Sequence, residues 1–170
     1  MARFDESFWR FFARSVPGEF VSAARLAPAS FILGVLAETG ILTGFGAIGG
    51  RAVAAFLLQA LIALLLIAMI NYLEHWGLCR SGHKVRAVDS WDCDSLVTHF
   101  LLFGLARHAD HHVRAARPYA ELRLCEASPK LPHGYLRMGF LVLFRNSVAR
   151  RLLADELKRK KLGPFLATEG

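Results

Sequence analysis

Apolar residues dominate two neighbouring stretches of the chain, and these stretches determine its predicted class. The stronger one runs from Ala52 to Ile70, AVAAFLLQALIALLLIAMI, and contains a single polar residue, Gln59. These 19 residues would span about 28 Å as an α-helix, close to the hydrocarbon thickness of a bilayer. A buried helix in a soluble core is the alternative, but the chain has little other material to cover such a helix on every side. The pattern therefore predicts a transmembrane helix.

A second and weaker apolar stretch, from Ala27 to Gly50, precedes the first. It contains several glycines and Glu38, and a carboxylate in the middle of a bilayer is costly unless it is paired or protonated. Together the two stretches predict a membrane hairpin that turns at Gly49, Gly50 and Arg51. Because basic residues lie mainly outside the pair, the positive-inside rule places both chain ends and every histidine on the cytoplasmic side. The flanking basic residues are Arg3, Arg10, Arg14, Arg25, Arg80, Lys84 and Arg86.

Both ends of the chain carry amphipathic patterns. Near the start, phenylalanines recur at helical spacing with arginines between them, which is typical of an interfacial helix or of a helix packed on the rest of the protein. These residues are Phe4, Phe8, Phe11 and Phe12. The same segment lacks the continuous apolar core and cleavage site of a signal peptide. From Arg145 to Gly163, basic and apolar residues alternate at helical spacing, which predicts a helix lying on lipid headgroups.

Composition agrees with a membrane protein. Apolar residues make up 54% of the 170 residues and charged residues 21%, which leaves too few polar side chains for a surface that faces water everywhere. Since no alternating strand pattern occurs, the predicted fold is a single all-α integral membrane domain over 1–170. Its parts are an interfacial helix (1–25), a transmembrane hairpin (27–70), a histidine-bearing region (71–135) with a helix from about Leu96 to Ala116, and an amphipathic C-terminal helix (136–170).

Charge and cysteine usage narrow the function classes. Three cysteines without CxxC spacing suit a reducing cytoplasm and argue against a disulfide framework or a cysteine zinc site. The net charge of +7 fits anionic membrane lipids or an acidic protein partner. No nucleic-acid partner is expected, because no DNA- or RNA-binding motif is recognised. Neither a nucleophile elbow nor a P-loop is present, so nucleophilic catalysis finds no support.

Four histidines in two segments form the candidate chemical site. The segment ARHADHH places His108, His111 and His112 at positions i, i+3 and i+4, which share one face of an α-helix. His75 follows the stronger apolar stretch by five residues, so two helices that end at one interface would bring four imidazoles together. Neutral imidazole binds iron, zinc and copper. The alternatives are a solvated polar cap for the three clustered histidines and a hydrogen-bonded interfacial role for His75.

Metal-bound imidazoles usually donate their second ring nitrogen to a carboxylate or a carbonyl. Asn71, Glu74 and Asp110 lie next to the histidines and are the expected outer partners of this kind. The remaining histidines stand alone and are expected to be bystanders: His83, His133 and His99, the last of which lies on the approach to the cluster.

Several segments resemble the membrane alkane 1-monooxygenase family. NYLEHWGLCR is similar to that family's NYxEHYGLxR signature, and ARHADHHVRAARPYAELR is similar to its QRHSDHHxxxxRxYQxLR box. LPHGYLRM resembles its LPxGYxxM segment, and ESFWRFFARSVPGEFVSAARL resembles the stretch before its last membrane hairpin. The resemblance extends from about Glu6 to Met138. The HxxHH pattern by itself also fits fatty acid desaturases and hydroxylases.

The resemblance implies part of a desaturase-like fold in the bacterial inner membrane, with a non-haem di-iron centre that faces the cytoplasm. It implies that the iron ligands in this chain are His75, His108, His111 and His112. It also implies that electrons pass from NAD(P)H through a reductase to rubredoxin and then to the irons. One oxygen atom of dioxygen then enters the terminal methyl of an alkane held between the membrane helices. The basic cytoplasmic face suits an acidic electron donor of the rubredoxin type.

The chain departs from the family in what it lacks. Neither of the family's earlier histidine boxes, HExxHK and EHxxGHH, is present, so the chain resembles the C-terminal half. The family's SWNSNH is SWDCDS here, with Ser95 in place of a histidine. Because four histidines do not complete two iron sites, we expect a second polypeptide to supply the missing boxes, or a truncated product, or a smaller site. The alternatives are a desaturase, hydroxylase or xylene monooxygenase-type enzyme acting on another lipid or an aromatic methyl group, and a metal-free membrane protein.

Overall fold

The computed structural model of the chain is built from α-helices and describes residues 1–80 and 84–166. Within those ranges, pairing of extended segments is limited to one isolated bridge between Asp92 and Lys130, so the all-α prediction is confirmed there. His83 lies outside the described residues. The helices are α1 (Phe8–Leu26), α2 (Pro28–Ile48), α3 (Gly50–His75), α4 (Leu96–Leu101), α5 (His108–Val113), α6 (Tyr135–Phe144) and α7 (Asn146–Lys160).

The chain divides into two compact units. The first, which we call the histidine unit, combines the N-terminal segment Met1–Phe11 with the chain from Met69 onward. The second, the apolar unit, comprises Phe12–Ala68. All residues of the candidate site belong to the histidine unit, which therefore builds the site from its own contacts.

The apolar unit contains the two predicted membrane helices. Helices α2 and α3 are long and apolar enough to cross a bilayer, so the structure has two candidate membrane-spanning helices, which follow each other directly across Gly49. Near Gly49 the rings of Phe45 and Phe56 stack with centroids 5.1 Å apart. No residue of α2 is buried, and Leu33 and Leu36 on it are more than half exposed. Apolar surface on all sides of a helix is typical of a segment that faces lipid.

In the histidine unit, the N-terminal segment is fixed to the last two turns of α3. The hydroxyl of Tyr72 and the indole N–H of Trp76 both donate to the backbone carbonyl of Glu6, at 2.8 and 3.1 Å. The rings of Phe8 and Phe11 are buried against Tyr72. These two phenylalanines therefore face protein, in agreement with the second alternative for this segment.

The prediction of one histidine-bearing helix from about Leu96 to Ala116 is wrong. The structure has two short helices, α4 and α5, in its place. Between them Phe103 and Gly104 adopt positive φ angles of 49° and 81°. A Cβ on Gly104 would lie 2.7 Å from the carbonyl oxygen of Tyr119, so only glycine permits this close approach. The turn redirects the chain before His108 begins α5.

The predicted C-terminal helix over 136–170 is also divided in two. Arg145 leaves helical geometry between α6 and α7, with a φ of −138°. The side chain of Asn146 accepts a hydrogen bond from the backbone N–H of Phe8 and donates to the Tyr72 hydroxyl, at 3.3 and 3.4 Å. The break thus lies where Asn146 joins the core of the histidine unit.

Replacing Gly104 by alanine should destabilise the chain by about 1–3 kcal/mol, because alanine must then adopt a left-handed conformation against the Tyr119 carbonyl. Thermal unfolding in detergent, followed by circular dichroism, measures the change. Gly18→Ala is the matched control, since a Cβ at Gly18 in α1 has no neighbouring atom within 4 Å. Equal unfolding temperatures for the Gly104 variant and the unmodified chain would contradict this account of the break.

Candidate metal centre

The structure brings three imidazoles to one place. His75 is the last residue of α3, His108 is the first residue of α5, and His112 lies one turn further along α5. Each offers a ring nitrogen within 4.8 Å of the other two. The Nε2 atoms of His108 and His112 are 2.7 Å apart, and the His75 ring lies 5.3 and 5.5 Å from theirs, centroid to centroid. One metal ion could therefore contact all three.

His111, the fourth predicted ligand, lies beside this group without joining it. Its ring centroid is 6.0 Å from that of His108 and 5.9 Å from that of His112. Because His111 and His112 are consecutive, their side chains leave α5 about 100° apart around its axis, and only one of them faces the end of α3. His112 occupies that direction, so the geometry separates two residues that the sequence pattern treats alike.

The backbone carbonyl of Asn71 orients His75. Nδ1 of His75 donates to this carbonyl, one turn earlier on α3, at 3.1 Å. The contact places the ring proton on Nδ1 and leaves the lone pair of Nε2 free for a metal. The partner is thus the main chain of Asn71 rather than its amide.

Glu74 lies against the histidines with both carboxylate oxygens in use. Its Oε2 is 3.3 Å from Nε2 of His108, and its Oε1 accepts a hydrogen bond from the Tyr135 hydroxyl at 3.2 Å. Both Glu74 and Tyr135 are buried. Sequence reasoning missed Tyr135, although it lies in the LPHGYLRM segment that carries part of the resemblance.

Asp110 supports α5 from the side. Its fully buried carboxylate pairs with Arg114 at 2.9 Å and Arg117 at 3.0 Å and accepts the backbone N–H of Arg123 at 3.0 Å. Burial alone would raise the pKa of Asp110, but the Arg123 N–H and the two guanidinium groups outweigh it and hold the pKa below its usual range. Among the described residues, the partners of this carboxylate are therefore arginines and not a ring nitrogen.

Asp92, which sequence reasoning also missed, holds the first turn of α5. Its Oδ1 accepts the backbone N–H of Ala109 at 2.8 Å. Its Oδ2 accepts the N–H of Cys125 at 2.9 Å and the ammonium of Lys130 at 3.0 Å. The carboxylate is fully buried and thus connects the first turn of α5 to the loop over 125–130. The residue lies in the SWDCDS segment, at the position that is asparagine in the family's SWNSNH.

The last residue of this segment, Ser95, caps a helix. Its hydroxyl accepts the backbone N–H of Thr98 at 3.3 Å at the start of α4. A Cβ on Gly134 would lie 2.8 Å from the Ser95 hydroxyl oxygen, so the chain before α6 packs directly against this cap. His99, at the end of α4, and His133 do not belong to the imidazole group.

The imidazoles are held in their metal-binding form. Burial, together with the neighbouring His112, His75 and His111, lowers the pKa of His108 to about 2. Burial and the neighbouring His111 also lower the pKa of His112. Because neutral imidazole is the form that binds metals, the cluster needs no proton release from these rings at neutral pH.

Comparison with known proteins identifies the class. The model of the family described as "Fatty acid desaturase" matches residues 2–141. The chain therefore belongs to the fatty acid desaturase family.

Within that family, the chain is similar to alkane 1-monooxygenases, as the sequence motifs indicate. It is 34% identical to alkane 1-monooxygenase 1 of Pseudomonas aeruginosa, over 84% of this chain and 43% of that protein. It is 42% identical to alkane 1-monooxygenase 2 of the same organism, over 61% of this chain and 29% of that protein. It is 43% identical to alkane 1-monooxygenase 2 of Alcanivorax borkumensis, over 56% of this chain and 26% of that protein. The chain thus spans less than half the length of these curated relatives.

The family implies non-haem iron, and the residues fit one such ion. Three neutral imidazoles converge, and the second nitrogen of His75 is fixed by the Asn71 carbonyl. Imidazole suits iron as well as zinc and copper. Over residues 1–80 and 84–166, no second group of at least three histidine, cysteine or acidic side chains converges in this way. The described residues therefore supply ligands for one metal ion and not for two.

Replacing Asp92 by alanine should destabilise the histidine unit by about 3–5 kcal/mol, because it leaves Lys130 and two backbone N–H groups without their buried acceptor. Asp92→Asn keeps an acceptor oxygen, so its loss of stability should lie between zero and that of Asp92→Ala. Asp94→Ala, an exposed acid in the same segment, is the control. Unfolding temperatures in detergent test this, and an unchanged value for Asp92→Ala would show that other contacts hold α5.

Proposed function

We propose that this chain holds iron through His75, His108 and His112 and forms part of a membrane non-haem iron monooxygenase that hydroxylates the terminal methyl of an alkane. The observation that carries the proposal is the convergence of three neutral imidazoles from α3 and α5. The proposed reaction is taken from the names of the relatives, and the proposed metal from the family. Iron bound there supplies the activation of dioxygen.

The chain's own residues hold and orient the site. The Asn71 carbonyl fixes the His75 ring through Nδ1, while Asp92 and Asp110 hold the first turn and the middle of α5 so that His108 and His112 keep their positions. Since the carboxylates of Asp92 and Asp110 are fully buried, helix α5 holds its imidazoles in place before any metal arrives. Preorganised ligands lower the cost of binding because no chain has to be ordered at that moment.

A complete di-iron centre needs ligands from outside the described residues. We propose that the histidine boxes of the other half of the family's fold supply them, from a second polypeptide or from a longer chain. His111 is proposed as a ligand of that complete centre, because its ring centroid lies 6.0 Å from that of His108 and 5.9 Å from that of His112. The chain's limited coverage of its relatives supports this proposal.

The substrate is proposed to bind along the membrane helices. An apolar groove of about 710 Å³ in the apolar unit is lined by Phe31, Leu42, Phe56 and Leu57 among others. Such a surface suits an alkyl chain, which has no polar group to recognise. We propose a bacterial inner-membrane location from the resemblance to the alkane 1-monooxygenases, and the flanking basic residues favour an orientation with the histidines on the cytoplasmic side.

The electron donor is proposed to be an acidic rubredoxin-type protein that is reduced by an NAD(P)H-dependent reductase. A net charge of +7 favours association with such a partner by complementary charge. A second candidate function, a desaturase or hydroxylase of another lipid, is favoured by the family match itself. Analysis of the product from alkane and fatty acyl substrates separates the two.

Metal binding by the purified chain tests the proposal. In detergent, the chain should bind about one Fe(II) under anaerobic conditions, as measured by metal analysis after gel filtration. His75→Ala, His108→Ala and His112→Ala should each reduce the bound iron strongly, whereas His133→Ala, outside the group, should not. Two results would contradict the proposal. One is that all four variants bind as much iron as the unmodified chain, and the other is that the unmodified chain binds no iron.

Activity is tested by supplying the missing half. Co-expression with a polypeptide that carries the two absent histidine boxes should yield 1-octanol from octane, detected by gas chromatography. His108→Ala in this chain should abolish the product. Octane hydroxylation by this chain alone would contradict the need for further ligands.

A further inference from the structure

Helix α6 of the histidine unit is apolar on two faces, one buried and one exposed. Met138 and Val142 on the first face are buried in the unit. The second face consists of apolar residues that recur every four positions and are more than half exposed: Leu136, Phe140 and Phe144. The rings of Phe140 and Phe144 lie 5.0 Å apart, centroid to centroid. Because a helix in water presents polar side chains on its outer face, the exposed face of α6 fits an apolar surrounding.

Helix α4 presents a second exposed apolar face. Four of its six side chains are apolar and more than half exposed: Leu96, Val97, Phe100 and Leu101. The starts of α4 and α6 adjoin, since the Thr98 hydroxyl accepts the backbone N–H of Tyr135 at 3.1 Å. The two exposed faces therefore begin at neighbouring points of the histidine unit, and together with Phe103 we call them its apolar surface.

Phe103, which follows α4, exposes its ring from a strained backbone. Its φ of 49° lies in the left-handed region, which a bulky side chain rarely adopts. Its side chain is nevertheless among the most exposed apolar ones, at 73%. Backbone strain of this kind persists mainly where a function requires it. An apolar surrounding for the ring would supply that requirement.

The position and length of these helices favour lipid as the surrounding. The histidine unit includes the last turns of α3, a helix long enough to cross a bilayer, so the chain itself keeps the unit at a membrane surface. Helix α6 has 10 residues and is about 15 Å long, roughly half the hydrocarbon thickness of a bilayer. An apolar helix of that length is typical of an interfacial segment and not of a membrane span.

The distribution of charge also favours lipid. Arg137 in the first turn of α6 and Arg145 at its end are both exposed, which suits guanidinium groups that reach anionic headgroups. Helix α7, which packs against α6, differs in that its exposed side chains include charged ones: Arg151, Asp155 and Lys158. The histidine unit thus has apolar outer faces on α4 and α6 and a charged outer face on α7.

We propose that the apolar surface of the histidine unit inserts into the lipid interface of the bilayer, with Arg137 and Arg145 at the headgroups. An amphipathic surface of this kind enters the interface by about 5–10 Å. The contact therefore lies on α4 and α6 and not on the charged face of α7. The proposal goes beyond the proposed function, because it concerns a lipid contact and not the metal.

This insertion has a consequence for access to the histidines. Phe103 lies five residues before His108 in the chain. Five residues span at most about 18 Å even when fully extended. A molecule dissolved in the lipid next to Phe103 is therefore within that distance of His108, and an apolar substrate would have little water to cross.

The accessibility of spin labels to oxygen and to a water-soluble nickel chelate tests the proposal, because oxygen concentrates among acyl chains and the chelate stays in water. The full chain is used, with Cys79 and Cys125 replaced by serine. The buried Cys93 is retained, and the chain without an introduced cysteine verifies that it takes up no label. The protein is reconstituted in vesicles of neutral and anionic phospholipids.

One nitroxide label is placed at Val97→Cys in α4, at Phe140→Cys in α6, or at Asp155→Cys on the exposed face of α7, which is the matched control. The ratio of oxygen to nickel accessibility should be several-fold higher at positions 97 and 140 than at position 155. If Phe140→Cys does not fold, as judged by circular dichroism, Leu136→Cys on the same face takes its place.

Two results would overturn the proposal. Equal ratios at the three positions would mean that the apolar surface faces water. Low accessibility to both reagents at positions 97 and 140 would mean that protein covers the surface, either a second copy or another polypeptide. Since iron binding is not measured in this experiment, its failure leaves the proposed function standing.

Discussion

The candidate site depends on two buried aspartates, Asp92 and Asp110, which stabilise a helix that is too short to be stable by itself. Helix α5 has six residues, and a helix of that length has no stability of its own in water. Asp92 accepts the N–H of Ala109 in its first turn, and Asp110 joins its middle to arginines further along the chain. Both carboxylates are fully buried, so their hydrogen bonds to backbone N–H groups are shielded from water.

The other side of the site is fixed by a different device. The end of α3 is held by the N-terminal segment, whose Glu6 carbonyl receives both the Tyr72 hydroxyl and the Trp76 indole. The imidazole of His75 therefore extends from a long helix with a fixed end, while those of His108 and His112 extend from a clamped short one. Neither device uses the histidines, which leaves their ring nitrogens available for chemistry.

Much of the architecture could be predicted from the sequence because its causes are local. The two candidate membrane-spanning helices follow from apolar length, and the pairing of His108 with His112 follows from their spacing of four residues. The division of the predicted histidine helix could not be found in this way, since it depends on the approach of Tyr119 to Gly104. The contact between Tyr135 and Glu74 joins residues 61 positions apart, a distance over which periodicity carries no information. The same holds for the difference between His112, which joins the imidazole group, and His111, which does not, because it depends on where the end of α3 lies.

The packing of Gly134 against Ser95 makes these two positions depend on each other. The resemblance to the alkane 1-monooxygenases places a histidine where this chain has Ser95. Here that position begins α4, and even its small hydroxyl would lie closer to a Cβ at position 134 than ordinary packing allows. The Ser95 hydroxyl, which caps α4, therefore fits only beside a residue without a Cβ, and the start of α6 depends on glycine at position 134. The two positions, 39 residues apart in the chain, are coupled, so a side chain can be added at one of them only if the other changes as well.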